Sequence, residues 1–316
     1  MEVRFSFKTF NERRFIYEGI IKFVREIRKN LSPNQIIIVL GASGLIGQTV
    51  SDFLSKKMKV FRVFREKRAI FDAHDIVVEK INFEILEKLI RKYKPNFIIN
   101  CIGLTKHLAG RESDLYFYPN VLIPRYLKML KYKFNFNLLH ISSDCVFRGD
   151  LGNYKESSYP DATDYYGMTK AISETDLEKA AMILRTSTVG YEKHTKNGLV
   201  EWFLNSDKNI NGYSKAFFNG VTTLELSMVI FEIISGKIKF QNGIFHVTSN
   251  IISKYEFLIL MNQIHNAERN ILKEKDFVIN RTLHNSEKIS ALDRSSKSWK
   301  KMILEMKENR DNGFLK

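Results

Sequence analysis

The stretch Gln35-Ile-Ile-Ile-Val-Leu-Gly-Ala-Ser-Gly-Leu-Ile-Gly47 joins a short apolar run to a turn that contains three glycines. Ile36–Leu40 is entirely apolar and mostly β-branched, which is typical of a central parallel strand buried on both faces. A helical pattern follows directly over Leu45–Lys56. The segment is therefore predicted to be a strand–turn–helix unit with its glycines at the turn.

The turn glycines Gly41, Gly44 and Gly47 predict a dinucleotide site. Glycine here lets the backbone turn tightly, approach a pyrophosphate closely and pack helix on strand. The helix N-terminus then offers N–H groups and a favourable dipole to the anion. The spacing is GxxGxxG, one residue longer at its start than the usual fingerprint. The residues expected to contact the cofactor here are Gly41, Ser43, Gly44, Leu45, Ile46 and Gly47.

Outward from this unit, buried strands alternate with helices. Further strands are predicted at Lys59–Phe64, Ile76–Val78, Phe97–Cys101, Asn137–Ser142 and Met182–Thr186. Further helices are predicted at Phe83–Tyr93, Val121–Leu130 and Tyr165–Ala180. Alternation of this kind predicts an α/β fold with a Rossmann-type, doubly wound parallel sheet.

The chain contains further predicted elements before and after this alternating pattern. Phe15–Lys29 has apolar residues at helical spacing, and a helix over Thr223–Ile234 and a strand near Gly243–Val247 could return to the sheet. The predicted domains are an N-terminal helical extension at 1–34, an NAD(P)-binding Rossmann domain at 35–190 to which 220–250 returns, and a smaller C-terminal substrate-binding lobe at 191–219 and 251–316.

Composition narrows the class of protein. The net charge is +15, but the basic residues are scattered among acidic ones, which favours anionic small ligands over nucleic acid. No apolar run approaches the roughly 20 residues that span a bilayer. With two cysteines, Cys101 and Cys145, the chain has no disulfide framework. We expect a cytoplasmic protein without a membrane span, a nucleic-acid partner or a metal. The sequence leaves the oligomeric state open, with a homodimer as one of the states considered.

The residue after the second strand bears on the choice of cofactor. NAD-selective sites usually place Asp or Glu there to bind the ribose 2′-hydroxyl. This chain has Arg65, with Arg62 and Lys67 close by. Because the 2′-phosphate of NADP is an anion, NADP(H) is preferred over NAD(H), unless Glu66 turns inward.

Tyr166 and Lys170 lie four apart on a predicted helix, hence on one face. An ammonium group one turn away is expected to lower the pKa of the phenol, which is otherwise near 10. At the end of the preceding strand, Ser142 and Ser143 offer a hydroxyl to polarise a carbonyl. The glycine turn, the serine and the YxxxK motif follow one another in that order along the chain. Together they predict carbonyl reduction.

These motifs resemble the extended short-chain dehydrogenase/reductases, and within them the dTDP-4-dehydrorhamnose reductase-like sugar-nucleotide reductases. The resemblance covers roughly Gln35 to Lys307. Its further segments are Asn100–Gly103, Ser142–Phe147, Gly149, Gly152, Tyr154, Glu156, Asp161–Ala162, Arg185–Gly190, Asn211–Gly212 and Asn219–Thr222.

The resemblance implies roles for single residues. Ser143 would polarise the sugar C4 carbonyl, Tyr166 would be the acid, Lys170 would tune Tyr166 and hold the nicotinamide ribose, and Asn120 would support the lysine through water. Further cofactor contacts would be Arg65, Cys101, Ile102, Gly103, Thr186 and Ser187. Substrate contacts would be Asp144, Cys145, Trp202, Asn211 and Asn219.

The implied activity is NAD(P)H-dependent reduction of the keto group of a 4-dehydro nucleotide sugar, in surface polysaccharide or glycan precursor synthesis. Dehydration is disfavoured, because Asp144 is followed by Cys145 where dehydratases carry Glu. Two alternatives remain open. One is an epimerase/reductase that uses Cys145 with a histidine such as His194; the other is a non-catalytic NADP-binding regulatory subunit. The cysteine, where many of these reductases carry Tyr, leaves the substrate open.

Overall fold

A seven-stranded parallel sheet forms the centre of the molecule in the computed structural model. The structure describes residues 35–66, 72–105, 114–192 and 198–314. The strands of this sheet are β1 (Ile36–Leu40), β2 (Lys59–Phe64), β3 (Asp75–Val77), β4 (Phe97–Asn100), β5 (Asn137–Ser143), β6 (Met182–Thr186) and β10 (Gly243–His246). Their spatial order is β10-β6-β5-β4-β1-β2-β3. The order reverses between β1 and β4, which is where doubly wound sheets bind their ligands.

Helices cover both faces of the sheet. They are α1 (Leu45–Ser55), α2 (Phe83–Tyr93), α3 (Asp114–Phe117), α4 (Ile123–Lys133), α5 (Tyr165–Leu177), α6 (Leu199–Asn205), α7 (Thr223–Ile234), α8 (Lys254–His265) and α9 (Trp299–Asn309). Alternate residues of each strand enter opposite cores. Val39 packs towards α1 and α7, whereas Ile38 packs towards α2 and α4. Each strand is therefore apolar on both faces, as its sequence requires.

A smaller lobe stands beside the carboxyl edge of the sheet. Its three-stranded sheet has the order β11-β8-β12, with β8 at Asn209–Phe218, β11 at Ile252–Ser253 and β12 at Asn270–Asn280. A short pair, β7 (Thr188–Val189) and β9 (Val221–Thr222), joins the lobe to the main sheet. Edge-to-face contacts among Phe218, Phe257 and Trp299 pack α8 and α9 on the lobe.

The predicted fold class is confirmed, and most predicted elements lie within a residue or two of their observed bounds. The strand predicted at Ile76–Val78 is Asp75–Val77. The helix predicted at Val121–Leu130 is longer, because α3 and a π-helical turn (Tyr118–Leu122) lead into α4. The N-terminal helix and His194 lie outside the described residues. Within the described part of the chain, no helix has the length and hydrophobicity to cross a membrane.

Candidate active site

The glycine turn is built as tightly as its sequence predicts. Gly41 has φ +75°, and a Cβ on it would lie 3.0 Å from the carbonyl carbon of Cys101. A Cβ on Gly47 would overlap the carbonyl oxygen of Gly41. Gly44 begins α1 without a side-chain cap and is exposed. The first N–H groups of α1 therefore face an open surface at the edge of the sheet, as an anion site requires.

Ser143 and Tyr166 meet at the carboxyl end of β5. The Ser143 hydroxyl shares a hydrogen bond with the Tyr166 phenol, donates to Asp144 at 3.1 Å and accepts the Cys145 N–H at 3.1 Å. Ser142, the competing hydroxyl, points to the opposite face and donates to buried Glu174. Of the two serines named from the sequence, the structure brings Ser143 to the tyrosine.

The pKa of Tyr166 differs from the sequence expectation. Burial raises it, the neighbouring Cys145 raises it further, and the hydrogen bond from Ser143 offsets part of the rise. The ammonium of Lys170 does not lower it, because Lys170 Nζ is directed to the carbonyl oxygen of Ile141 at 2.6 Å. The expected depression was wrong. Tyr166 instead keeps its proton at neutral pH, which suits a proton donor.

Lys170 is buried one turn further along α5. Burial lowers its pKa to about 8, although nearby Glu174 and Cys101 act in the opposite direction. Burial also raises the pKa of the Cys101 thiol to about 12, although the charge of Lys170 lowers that pKa. The lysine is therefore the titrating group of the pair near neutral pH, and the thiol stays protonated.

Asn120 lies at the centre of the π-helical turn between α3 and α4 and is fully buried. Its amide oxygen accepts the Leu104 N–H at 2.9 Å, and its amide nitrogen donates to the Thr169 hydroxyl at 3.1 Å. Single π-turns inside helices often occur at functional sites. Here the turn directs one side chain to both the loop after β4 and the helix that carries Lys170.

A cleft of about 360 Å³ is lined by Ser143 and Tyr166, whereas Lys170 and Asn120 are buried and are not part of its lining. It extends from Leu45 and Ile46, past Ser143 and Tyr166, to the smaller lobe. Asp144, Cys145, Thr186 and Ser187, all named from the sequence, also line it. Two residues that the sequence did not single out, Lys254 and Arg281, line its lobe side.

Among the cleft residues that could not be predicted from the sequence, Arg281 makes the most informative contacts. Its Nε donates to the carbonyl oxygen of Phe147 at 2.9 Å, and its NH1 lies 3.6 Å from the sulfur of half-buried Cys145. Burial raises the pKa of Asp144, and the charge of Arg281 opposes that rise. No local motif could have revealed Arg281, because 136 residues separate it from Cys145.

Other sequence-named residues lie outside the cleft lining. Trp202 on α6 is 41% exposed, and Asn211 on β8 is exposed. Asn219 is buried, and both ends of its amide bond the backbone of Leu283 at 2.8 Å. Asn219 therefore has a structural role, because its amide joins the segment after β8 to the segment after β12.

The NADP-directed prediction rests on Arg65, which is exposed directly after β2. Arg62, its neighbour on the strand, is instead engaged by acidic groups, with Asp52 at 3.5 Å and Asp72 at 3.9 Å. In the loop after β4, a Cβ on Gly103 would lie 3.5 Å from the Asn120 amide oxygen, and the Ile102 N–H donates to the Asn100 amide oxygen.

The fold, the hydrogen-bonded serine and tyrosine, and the buried lysine one turn further on define an extended short-chain dehydrogenase/reductase. The model of the RmlD substrate binding domain matches residues 35–298, so the chain belongs to that family.

Two curated relatives have different names. The dTDP-4-dehydrorhamnose reductase of Aggregatibacter actinomycetemcomitans is 28% identical over 237 residues, covering 71% of this chain and 76% of the relative. The methionine adenosyltransferase 2 subunit beta of Xenopus laevis is 25% identical over 246 residues, covering 72% of each.

Solved structures share the fold at lower identity. The dTDP-4-dehydrorhamnose reductase of Bacillus anthracis, in complex with NADP, superposes with a TM-score of 0.72 at 19% identity, covering 87% of this chain and 99% of the other. The Bordetella bronchiseptica enzyme WbmG, in complex with NAD and UDP, has a TM-score of 0.71 at 14% identity, covering 88% and 94%.

Proposed function

We propose that this protein reduces the keto group of a 4-dehydro nucleotide sugar with NADPH, in the synthesis of a surface polysaccharide or glycan precursor. The observation that carries the proposal is the hydrogen-bonded pair of Ser143 and Tyr166 in a cleft that extends to the glycine turn, with Lys170 buried one turn further along the same helix. The relative from Aggregatibacter, named as a reductase of this kind, supports the choice of substrate class.

The residues present fit a nicotinamide dinucleotide. The space at Gly47 is closed to any Cβ, while exposed Gly44 leaves the first N–H groups of α1 open to a pyrophosphate. Arg65, which is exposed directly after β2, would meet a 2′-phosphate. Among the described residues, the buried hydroxyl of Thr188 has no hydrogen-bond partner, and it lines the cleft. An unsatisfied hydroxyl in a cleft is expected where a ligand completes the site.

The protein groups would then act on the sugar carbonyl as follows. A bound NADPH supplies the hydride. The Ser143 hydroxyl donates a hydrogen bond to the carbonyl oxygen, and the protonated Tyr166 phenol transfers its proton there as negative charge develops. The Lys170 ammonium holds the ribose.

The test is NADPH oxidation with dTDP-4-dehydrorhamnose, comparing the wild type with Tyr166→Phe. We expect turnover in the wild type and a loss of about 100-fold or more in the variant, because the acid is removed. Titration of NADPH fluorescence should give similar dissociation constants for both proteins. Repeating the wild-type assay with NADH examines the cofactor preference. A wild type that binds NADPH but reduces no 4-keto nucleotide sugar would contradict the proposal.

A second candidate, a regulatory NADP-binding subunit, is favoured by the similarity to methionine adenosyltransferase 2 subunit beta. Under that function, Tyr166→Phe would change nothing that can be measured, and the protein would alter the kinetics of a methionine adenosyltransferase. The buried Lys170 argues for the reductase, since burying a cation is costly unless its charge is used.

An epimerase/reductase differs from the simple reductase only in Cys145. The thiol lines the cleft close to Arg281, which could stabilise a thiolate. Deuterium uptake from solvent at the sugar C3 or C5, lost in Cys145→Ser, would identify that activity.

A further inference from the structure

His140 is fully buried under α5, and the reaction proposed above gives it no task. It lies on β5 opposite Asn100, its register partner on β4. Asn100 Nδ2 is 3.0 Å from His140 Nδ1. On the other side of the ring, Ser173 Oγ is 3.3 Å and Lys170 Nζ 3.4 Å from Nε2. The imidazole therefore stands between the strand that leads to the cofactor loop and the helix that carries the lysine.

The neighbours of His140 determine its tautomer. The Asn100 amide oxygen accepts the Ile102 N–H at 3.1 Å, so the amide N–H group is the one that faces the ring. His140 Nδ1 must then accept, and a neutral imidazole with an accepting Nδ1 carries its hydrogen on Nε2. Burial and the charge of Lys170 hold the pKa of His140 well below its usual value, so the ring stays neutral.

The Nε2–H group completes a chain of hydrogen bonds. It donates to the Ser173 hydroxyl, which in turn donates to the carbonyl oxygen of Lys170 at 2.8 Å. The chain of bonds thus runs from the backbone of Ile102 to the backbone of Lys170. The ring offers the Lys170 ammonium no lone pair, so the ammonium contacts it without a bond and donates to the Ile141 carbonyl instead.

We propose that His140 is a positioning residue: its Nε2–H tautomer ties the loop 101–103 to the turn of α5 that carries Lys170 and keeps the ammonium at its place beside the Ile141 carbonyl. The inference rests on the proposed function, because it concerns the lysine used there. Lys170 is faced by His140 from β5, by Glu174 from its own helix and by Cys101 from the loop after β4. A change in the pKa of Lys170 in any variant therefore has to be attributed to one of these three groups.

Two substitutions separate the two ends of the imidazole. In His140→Asn, the amide oxygen takes the place of Nδ1 and still accepts from Asn100, but the bond to Ser173 is lost. In His140→Gln, the longer amide takes the place of Nε2 and still donates to Ser173, but the bond from Asn100 is lost. Thermal unfolding of both variants measures whatever purely structural effect the substitutions have.

We expect His140→Asn to lower kcat about tenfold, because Lys170 loses its fixed place. The shorter side chain also leaves room for water beside the ammonium, so the pH above which NADPH binding weakens should rise by about one unit. His140→Gln should keep that pH and bind NADPH about threefold more weakly, through the loosened loop. Equal losses of stability and activity in both variants, with a wild-type pH dependence of NADPH binding, would overturn the proposal.

Ser173→Ala and Thr175→Ala form a matched pair on α5. Each removes a hydroxyl that bonds a backbone carbonyl of the same helix, but only Ser173 contacts His140, and Thr175 is exposed. We expect kcat to fall about threefold in Ser173→Ala and to stay unchanged in Thr175→Ala. An equal effect of the two substitutions would contradict the role of the chain of bonds.

The tautomer itself can be observed without any substrate. Nitrogen-15 chemical shifts of the His140 imidazole should show the Nε2–H form, with no titration near the ordinary histidine pKa of about 6.5. An Nδ1–H form, or a ring that titrates near that pKa, would overturn the proposal. Failure of the proposed function would be seen differently, as a wild type without turnover whose His140 signals and NADPH binding are nevertheless as expected.

Discussion

The two walls of the cleft are built in different ways. The sheet wall carries Ser143 and Tyr166, which are hydrogen-bonded to each other, and Lys170 is buried one turn further along α5 and bonded to β5. The lobe wall carries Phe277 and Arg281 on or just after β12, where Phe277 is 44% exposed and the strand pairing with β8 shifts register.

The difference indicates a division of tasks. Groups that transfer protons need fixed geometry, which a packed parallel sheet provides. Groups that select a substrate can sit on a small, variable lobe whose changes leave the chemistry intact. Substitutions in the sheet wall should therefore change cofactor binding and kcat, whereas substitutions in the lobe wall should change KM.

The largest effect should come from Gly47→Ala. Its Cβ would overlap the Gly41 carbonyl oxygen, and a backbone carbonyl at a packed turn cannot move away cheaply. We expect NADPH affinity, measured by fluorescence titration, to fall by more than about 100-fold with the loss of the pyrophosphate cradle.

Gly236→Ala is the control for backbone strain outside the cleft, because φ there is +79° but a Cβ meets nothing within 4 Å. It should leave NADPH affinity unchanged. A folded Gly47→Ala protein with wild-type affinity would place the cofactor elsewhere and remove the distinction between the walls.

Lys170→Met should lower kcat by about 100-fold, because the ammonium that holds the ribose and fixes the position of the cofactor is lost. The wild type should also show a pH effect on NADPH binding. The pKa of Lys170 is lowered to about 8, so the ammonium that holds the ribose is present below that pH and lost above it.

The dissociation constant of NADPH should therefore rise by about tenfold between pH 7 and pH 9.5 in the wild type. In Lys170→Met it should be weak and nearly independent of pH. A wild type whose affinity does not change over this range would show that the lysine does not contact the cofactor.

On the lobe wall, Arg281→Ala should raise KM for the nucleotide sugar about tenfold, through loss of a guanidinium facing an anionic substrate. The change in kcat should be small. Lys275→Ala removes the same charge from an exposed position of β12, the strand that precedes Arg281, and should leave KM as it was. If kcat falls in Arg281→Ala while KM stays constant, the two walls do not divide the tasks as described.

The smallest effect is expected from Arg65→Ala. Loss of one exposed charge near the 2′-phosphate should weaken NADPH binding about fivefold and leave NADH binding unchanged. Parallel titrations with the two cofactors measure the difference. Equal weakening of both would mean that Arg65 does not contact the 2′-phosphate.

The sheet wall could be predicted from the sequence far better than the lobe wall. Ile36–Leu40 and the turn glycines are local patterns, and the tyrosine and lysine share one helix face. Arg281 reaches Cys145 only through the path of the whole lobe, so no spacing in the sequence could indicate it. The pKa of Tyr166 was also beyond the sequence, because the spacing gives the face of the helix but not the burial.

His140 shows the same limit of prediction from sequence, although it lies beside the sheet wall, which was otherwise well predicted. Its partners come from β4, from the loop after it and from α5, and each looks ordinary in the sequence. Only the register of β4 with β5 brings Asn100 to the ring.

The central claim is that the nicotinamide end of the cofactor lies against a carbonyl held by Ser143 and Tyr166. It is tested most directly by turnover with NADPH that carries deuterium at C4 of the nicotinamide, using the 4R and the 4S forms separately. With one of the two forms, deuterium should appear on the sugar carbon that bore the keto group, and with the other it should stay on the oxidised cofactor. Bound NADPH whose deuterium reaches no sugar carbon, from either form, would contradict the account.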